Sequence, residues 1–247
     1  MRVRLTLEYA GPAFHGFQRQ DGLLTVQGAL ETALRGFCGA DLTLYAAGRT
    51  DAGVHALGQV VHVDLPRRYS PHTIRNALNA HLRPHPLAVL SAEEVGPDFH
   101  ARFSAQARHY RYVIINRPAP LAVQTGLAWH IPVPLDVDAM HRAAQHLVGR
   151  HDFSTFRASF CQAASPVRTL DRLDVQREGD RVLIEASSRS FLHHQVRNMV
   201  GSLALIGKRR WSAGDLLAAL AARDRRAGGQ TAPAEGLYFL GVDYPAS

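Results

Sequence analysis

Hydrophobic and polar positions alternate from the first residues of the chain. Val3, Leu5, Leu7 and Tyr9 fall on one side of a period-two pattern and Arg2, Arg4, Thr6 and Glu8 on the other, which predicts a half-buried strand. Gly11-Pro12 ends it and a polar loop follows through Asp21-Gly22. Val26, Ala29, Leu30, Ala33, Leu34 and Phe37 then recur at helical spacing behind Thr25, a residue type suited to cap a helix. A strand is expected over about 42–47, a turn-rich stretch over 48–53 and another strand over 59–65. Ser70-Pro71 opens a helix carrying Ile74, Ala77 and Leu78, and 87–90 reads as a strand.

A similar order returns afterwards. Residues 108–115 are strand-like, as are 127–131, and Asp136 caps a helix bearing Met140, Ala144, Leu147 and Val148 that stops at Gly149. Strands at 167–175 and 181–187 precede a long helical pattern with Val196, Met199, Val200 and Leu203 on its apolar stripe. Ser212 and Asp215 form a capping box ahead of Leu216, Leu217 and Leu220, and 237–242 is a closing strand. Strands and helices mix without the strict alternation of a doubly wound sheet, so the class is α+β. The repeated order predicts two fused α+β subdomains, 1–106 and 107–247.

Composition narrows the function. The 247 residues are 46% hydrophobic, enough for folded cores, and carry 28 basic against 21 acidic side chains, a formal +7. Such a surplus points to an anionic partner, nucleic acid first. Its distribution is uneven: residues 1–106 hold 10 basic and 9 acidic groups (net +1), and residues 107–247 hold 18 and 12 (net +6). All the cations but Lys208 are arginine, a ratio that codon bias explains as well as phosphate recognition does. Cys38 and Cys161 show no metal or disulfide spacing. No apolar run approaches the ~18 residues of a membrane span, and the start alternates like a strand rather than a leader. A soluble, cytoplasmic protein without membrane attachment is expected.

Three stretches can carry chemistry. Gly48-Arg49-Thr50-Asp51-Ala52-Gly53-Val54-His55 places Asp51 in a tight loop at a sheet edge, with Arg49 two positions away to supply positive charge. An isolated Asp-x-Gly is usually an ordinary turn, so the surrounding chain must raise this one above that. Arg108-His109-Tyr110-Arg111-Tyr112 interleaves tyrosine and arginine on a strand, a pattern that suits base stacking and phosphate neutralisation and equally suits a sheet stripe with one core aromatic. In Phe191-Leu192-His193-His194-Gln195-Val196-Arg197-Asn198-Met199, read as helix, Arg197 borders the apolar stripe with His193 and His194 one turn earlier on its side. A cation bordering a core calls for a carboxylate. No HExxH accompanies the histidine pair, so no metal is expected, and no P-loop or G-x-S-x-G is present.

Together these stretches resemble the TruA family of tRNA pseudouridine synthases, over nearly the whole chain. Gly48–His55 is similar to the family's catalytic-aspartate motif. The resemblance extends to His15-Gly16-Phe17-Gln18-Arg19-Gln20, Asp98-Phe99-His100-Ala101-Arg102-Phe103, Arg108–Tyr112, Phe191–Asn198 and Ala234-Glu235-Gly236-Leu237-Tyr238. His109 and the Arg83-Pro84-His85-Pro86 turn depart slightly from the family pattern. The resemblance implies a central, mostly antiparallel sheet with an active-site cleft between the subdomains. It implies isomerisation of uridine to pseudouridine at positions 38, 39 and 40 of the tRNA anticodon stem-loop, with no cofactor and no metal, by a homodimer.

By the same resemblance Asp51 is the essential carboxylate, attacking C1′ or taking the ribose 2′ proton. Arg197 is its cationic partner and Tyr110 stacks on the target base. Arg49 fills the space left by the flipped base or contacts its phosphate, and Leu237 closes the apolar wall. Two rivals stand beside this reading. An aspartic-type hydrolase would need a second carboxylate motif, which the sequence lacks. A non-catalytic RNA-binding relative is opposed by the intact Asp51, Tyr110 and Arg197.

Overall fold

The computed structural model describes residues 1–245. The chain forms two compact units, one of Met1–Gln106 together with the chain from Tyr238 onward, the other of Ala107–Leu237. The second unit therefore ends at Leu237 rather than running to the C-terminus. Tyr238 and Phe239 lie parallel to His55 and Ala56 in the first unit.

In the first unit, β1 (Arg2–Tyr9) lies between β4 (Leu87–Glu94) and β3 (His55–Asp64), antiparallel to both. The alternation read from the sequence is realised: Val3, Leu5, Leu7 and Tyr9 are buried. β3 begins four residues earlier than its pattern suggests, because the polar His55 is buried and the apolar Leu57 exposed there, so its start shows no regular alternation. His55, Ala56 and Gly58–Val63 are all buried. The edge of β3 opposite β1 is shared by two partners. β2 (Tyr45–Ala46) pairs with His62 and Val61, and β10 (Leu237–Asp243) takes His55 and Ala56. That division holds the strand expected over 42–47 to two residues. Helix α1 (Val26–Cys38) starts where Thr25 Oγ1 accepts the Gly28 N–H at 3.2 Å, a cap worth about 1 kcal/mol. It packs on α2 (Pro71–Leu82), which rests on β4.

In the second unit β5 (Ala107–Ile115), β9 (Arg181–Ser188), β8 (Val167–Glu178) and β7 (Gly149–Asp152) are antiparallel neighbours in that order. The short β6 (Trp129–His130) runs parallel to the end of β5. Helix α3 (Val137–Ala144) covers β8 and packs on α4 (Gln195–Gly207) and α5 (Ala213–Ala222). Asp136 caps α3, and Ser212 with Asp215 makes the complete capping box on α5. The class is α+β with mostly antiparallel pairing. Among the described residues no helix is long and apolar enough to cross a membrane.

Candidate active site

Asp51 sits in the connection from β2 to β3, and the loop is fixed by buried polar groups on both sides of it. Phe17 N–H donates to the Thr50 carbonyl at 3.0 Å, and Val54 N–H donates to the Asp51 carbonyl at 3.1 Å, closing a turn. Gly53 holds the left-handed conformation that this turn demands (φ 80°). Thr50 points inward, its Oγ1 2.7 Å from the Tyr9 hydroxyl at the end of β1. Gln59 on β3 is fully buried and donates Nε2 to the Gly48 carbonyl at 2.9 Å. Burial pushes the Tyr9 phenol up to about 12, so it remains a neutral hydrogen-bonding group across the physiological range. Asp51 is left half-buried and Arg49 exposed, between anchored neighbours. His55 follows in the same scaffold: its Nδ1 accepts the Gly11 N–H at 3.2 Å, and its ring stacks on Tyr238 at 4.5 Å.

The other sequence-predicted residues belong to the second unit. Tyr110 on β5 lies opposite Ala186 of β9 and is half-buried, edge-on to Phe191 at 5.1 Å. Arg108, two residues earlier on the same face, bonds the Arg189 carbonyl. Tyr112, two residues later, is core: it is wholly buried and donates to the Pro233 carbonyl at 2.8 Å. Tyr112 is thus the core aromatic of the Tyr–Arg stripe, while Tyr110 stays half-buried at its side. On the opposite face His109 meets Ser187, and Arg111 pairs with Glu185 at 2.6 Å.

Arg197 occupies the third position of α4, beside the buried stripe of Val196, Met199, Val200 and Leu203. Its Nε donates to the Ala232 carbonyl at 2.8 Å, and Ala232 N–H donates to the Arg197 carbonyl at 3.1 Å. Residues 229–232 consequently run as a strap against α4, and the chain then passes Tyr112 of β5 to reach the buried Leu237. His193 and His194 do not lie a turn earlier on the same helix as expected. α4 begins at Gln195, and His194 takes a left-handed conformation (φ 62°) that breaks the helical path before it. The two rings are 4.2 Å apart and both meet Phe160, at 4.8 and 5.8 Å.

The sequence pattern that describes tRNA pseudouridine synthases matches residues 6–104 and 143–245, most of the chain. The chain belongs to the tRNA pseudouridine synthase family. Its relatives include tRNA pseudouridine synthase A of Paramagnetospirillum magneticum, 60% identical over 246 residues and spanning 100% of this chain and 96% of that protein. The proteins of the same name from Rhodopseudomonas palustris (strain HaA2) and Bradyrhizobium sp. are 60% and 58% identical over 243 residues, with 98% of this chain and 99% of each relative covered. A chain of a Cbf5-Nop10-Gar1 complex is matched over 81% of this chain at 10% identity and a TM-score of 0.37, too low to bear on the fold.

The synthase family is one of isomerases: uridine and pseudouridine contain the same atoms and differ in the bond joining base to ribose. In this synthase two residues that hold the Asp51 loop, Tyr9 and Gln59, were not singled out by sequence reasoning. The signal for them is chemical rather than periodic. Each is a polar group at an inward strand position, and such a group needs a partner.

Proposed function

We propose that this protein isomerises uridine to pseudouridine at positions 38, 39 and 40 of the tRNA anticodon stem-loop, with Asp51 as the catalytic carboxylate. The observation that carries the proposal is the anchoring of the family's aspartate motif. Tyr9 holds Thr50 and Gln59 holds Gly48 through buried hydrogen bonds, so the chain leading into Asp51 is fixed from within the core. A nucleophile or base held within a few tenths of an ångström is what positional catalysis requires.

The chemistry detaches the base from C1′, turns it and rejoins it through C5. Asp51 either attacks C1′ or removes the ribose 2′ proton, and both steps need its ionised form. Arg197 is its cationic partner; an opposed guanidinium lowers a carboxylate pKa by about 1–3 units. Tyr110 stacks on the extruded base, a contact worth about 1–3 kcal/mol against the few kcal/mol that unstacking costs. Arg49, exposed on the same loop as Asp51, fills the vacated position or grips its phosphate, and Leu237 supplies apolar wall. No cofactor or metal enters this chemistry. The net +6 of residues 107–247 (18 basic, 12 acidic) supplies most of the attraction for tRNA. The working form is a cytoplasmic homodimer.

Incubation with unmodified tRNA, followed by carbodiimide treatment and mapping of reverse-transcription stops, tests the proposal. Wild-type protein is expected to give stops one nucleotide 3′ of positions 38–40, and Asp51→Asn to bind tRNA without turnover. Absence of pseudouridine with the wild type, or full activity in Asp51→Asn, refutes it.

A further inference from the structure

The Arg197 guanidinium is held by the Ala232 backbone carbonyl, and that carbonyl is itself held in place. The next residue, Asn198, is fully buried. Its Nδ2 donates to the Phe156 carbonyl at 2.8 Å, which fixes the orientation of the amide. Its Oδ1 accepts two hydrogen bonds, from Thr231 Oγ1 at 2.7 Å and from Arg225 Nη2 at 3.1 Å. Arg225 Nη2 also donates to Thr231 Oγ1 at 3.1 Å, closing a ring of three side chains. The roles in this ring are unambiguous. The single hydroxyl proton of Thr231 goes to Asn198, its lone pair takes the guanidinium, and both lone pairs of Asn198 Oδ1 are filled. Thr231 immediately precedes Ala232. On the next turn of α4, Ser202 Oγ accepts the Gly229 N–H at 2.9 Å and donates to the Asn198 carbonyl at 3.0 Å.

The choice of groups is costly for scaffolding alone. Arg225 is half-buried on the turn after α5, and both of its Nη2 bonds go to neutral oxygens. An apolar contact would tie two segments together without desolvating a cation. What the ring supplies instead is direction. It sets the height of residue 231 against α4, hence the position of the Ala232 carbonyl, hence the plane of the Arg197 guanidinium.

We infer that Arg225, Thr231 and Asn198 are positioning residues that aim the Arg197 guanidinium through the Ala232 carbonyl. The inference rests on the proposed role of Arg197 as the partner of Asp51. A loosened guanidinium stabilises the carboxylate less, so the carboxylate titrates at higher pH. The acid limb of the rate profile then moves up.

The test compares Thr231→Val, which keeps volume and removes the hydroxyl, with Thr231→Ser, which keeps the hydroxyl. Arg225→Met serves as a second disruption and Arg197→Met as the reference. Each is assayed by thermal unfolding, tRNA binding, and single-turnover rate on unmodified tRNA as a function of pH. Thr231→Val and Arg225→Met are expected to bind tRNA normally and to lose about ten- to a hundredfold in rate, the scale of a misplaced catalytic group. Their acid limb is expected at higher pH, and Thr231→Ser is expected to match the wild type. A lowered melting temperature with unchanged rate and pH limb would make the ring merely structural and overturn the inference. So would equal losses in Thr231→Ser and Thr231→Val. If Arg197→Met is inactive while the ring variants keep full rate, positioning fails and the role of Arg197 stands. If Arg197→Met keeps full rate, that role fails and the inference with it.

Discussion

Removing one oxygen atom from Tyr9 tests whether the Asp51 loop is held from beneath. In Tyr9→Phe the ring still fills its place beside Phe14, so almost no cavity forms. The loss is confined to the hydrogen bonding of the buried hydroxyl, with Thr50 at 2.7 Å and with the neighbouring Gln59. A buried neutral hydrogen bond contributes about 0.5–1.5 kcal/mol net, and a stranded polar partner costs about 1–3 kcal/mol. Because Thr50 can turn its hydroxyl only within a 7%-exposed site, a loss of about 2 kcal/mol is expected. For a chain of this size that lowers Tm by roughly 4–8 °C. The catalytic effect is expected to exceed what this loss of stability explains. At 25 °C the variant remains folded, yet single-turnover rate on tRNA should fall about tenfold or more, since Thr50 carries the backbone of Asp51.

The phenol adds a pH signature. Its folded-state pKa, pushed up to about 12 from 10.0, means that burial favours the protonated form. Wild-type stability attributable to Tyr9 is therefore complete below pH 10 and lost as pH rises toward 12. Tyr112, also pushed up by burial, contributes in the same direction, so Tyr9→Phe makes the alkaline decline shallower without abolishing it. Denaturant unfolding between pH 8 and 12 measures this. A Tyr9→Phe protein with wild-type rate, or with an unchanged alkaline decline, would refute the view that the buried hydroxyl anchors the loop.

Two other perturbations follow from the packing. His62, stacked under Tyr45 and hydrogen-bonded to the Ala101 N–H, has its pKa lowered to about 4 by burial, with help from the nearby His100 and Arg2. Its contribution to stability is complete above about pH 6.5 and lost as pH falls toward 4. His62→Gln is therefore expected to flatten the stability profile in that window, read by denaturant unfolding at pH 4–7, with His100 accounting for a remaining slope; an unaltered slope counts against it. Gly201 on α4 faces the strap so closely that an added Cβ would lie 1.7 Å from the Gln230 carbonyl oxygen. Gly201→Ala must displace the strap and is expected to cost about 1–3 kcal/mol by overpacking. Thermal unfolding and single-turnover assays should show lowered stability together with reduced rate, and wild-type values in both would contradict the close approach.

What could be read from the sequence divides along a physical line. Elements with one wet face were legible, because alternation or helical spacing is the trace that a boundary between water and core leaves on a chain. β1 is legible for that reason, and so are α1 and α5 with their caps. β3 lost its first four residues because its polar His55 is buried and its apolar Leu57 exposed, which leaves no regular alternation. β7 was hidden behind Gly149, which reads as a helix stop and is also the first residue of a strand. The histidine pair was misplaced because a left-handed turn at a non-glycine residue, His194, leaves no compositional mark.

The site follows the same division. Asp51, Tyr110 and Arg197 stand in recognisable motifs, whereas the groups that hold their surroundings do not. Tyr9 reads as one more core position of a strand and Gln59 as one more strand residue. Asn198 and Thr231 lie 33 positions apart, joined by one hydrogen bond. Such groups become visible only when each buried polar atom is asked where its hydrogen bond goes. The two anchoring systems then show a common design. In each, a fully buried amide side chain, Gln59 or Asn198, meets a backbone carbonyl through its NH₂ and a further donor through its oxygen. An amide serves here because it is a donor and an acceptor at once and carries no charge. It can fix a loop from inside the core without adding a charge of its own there.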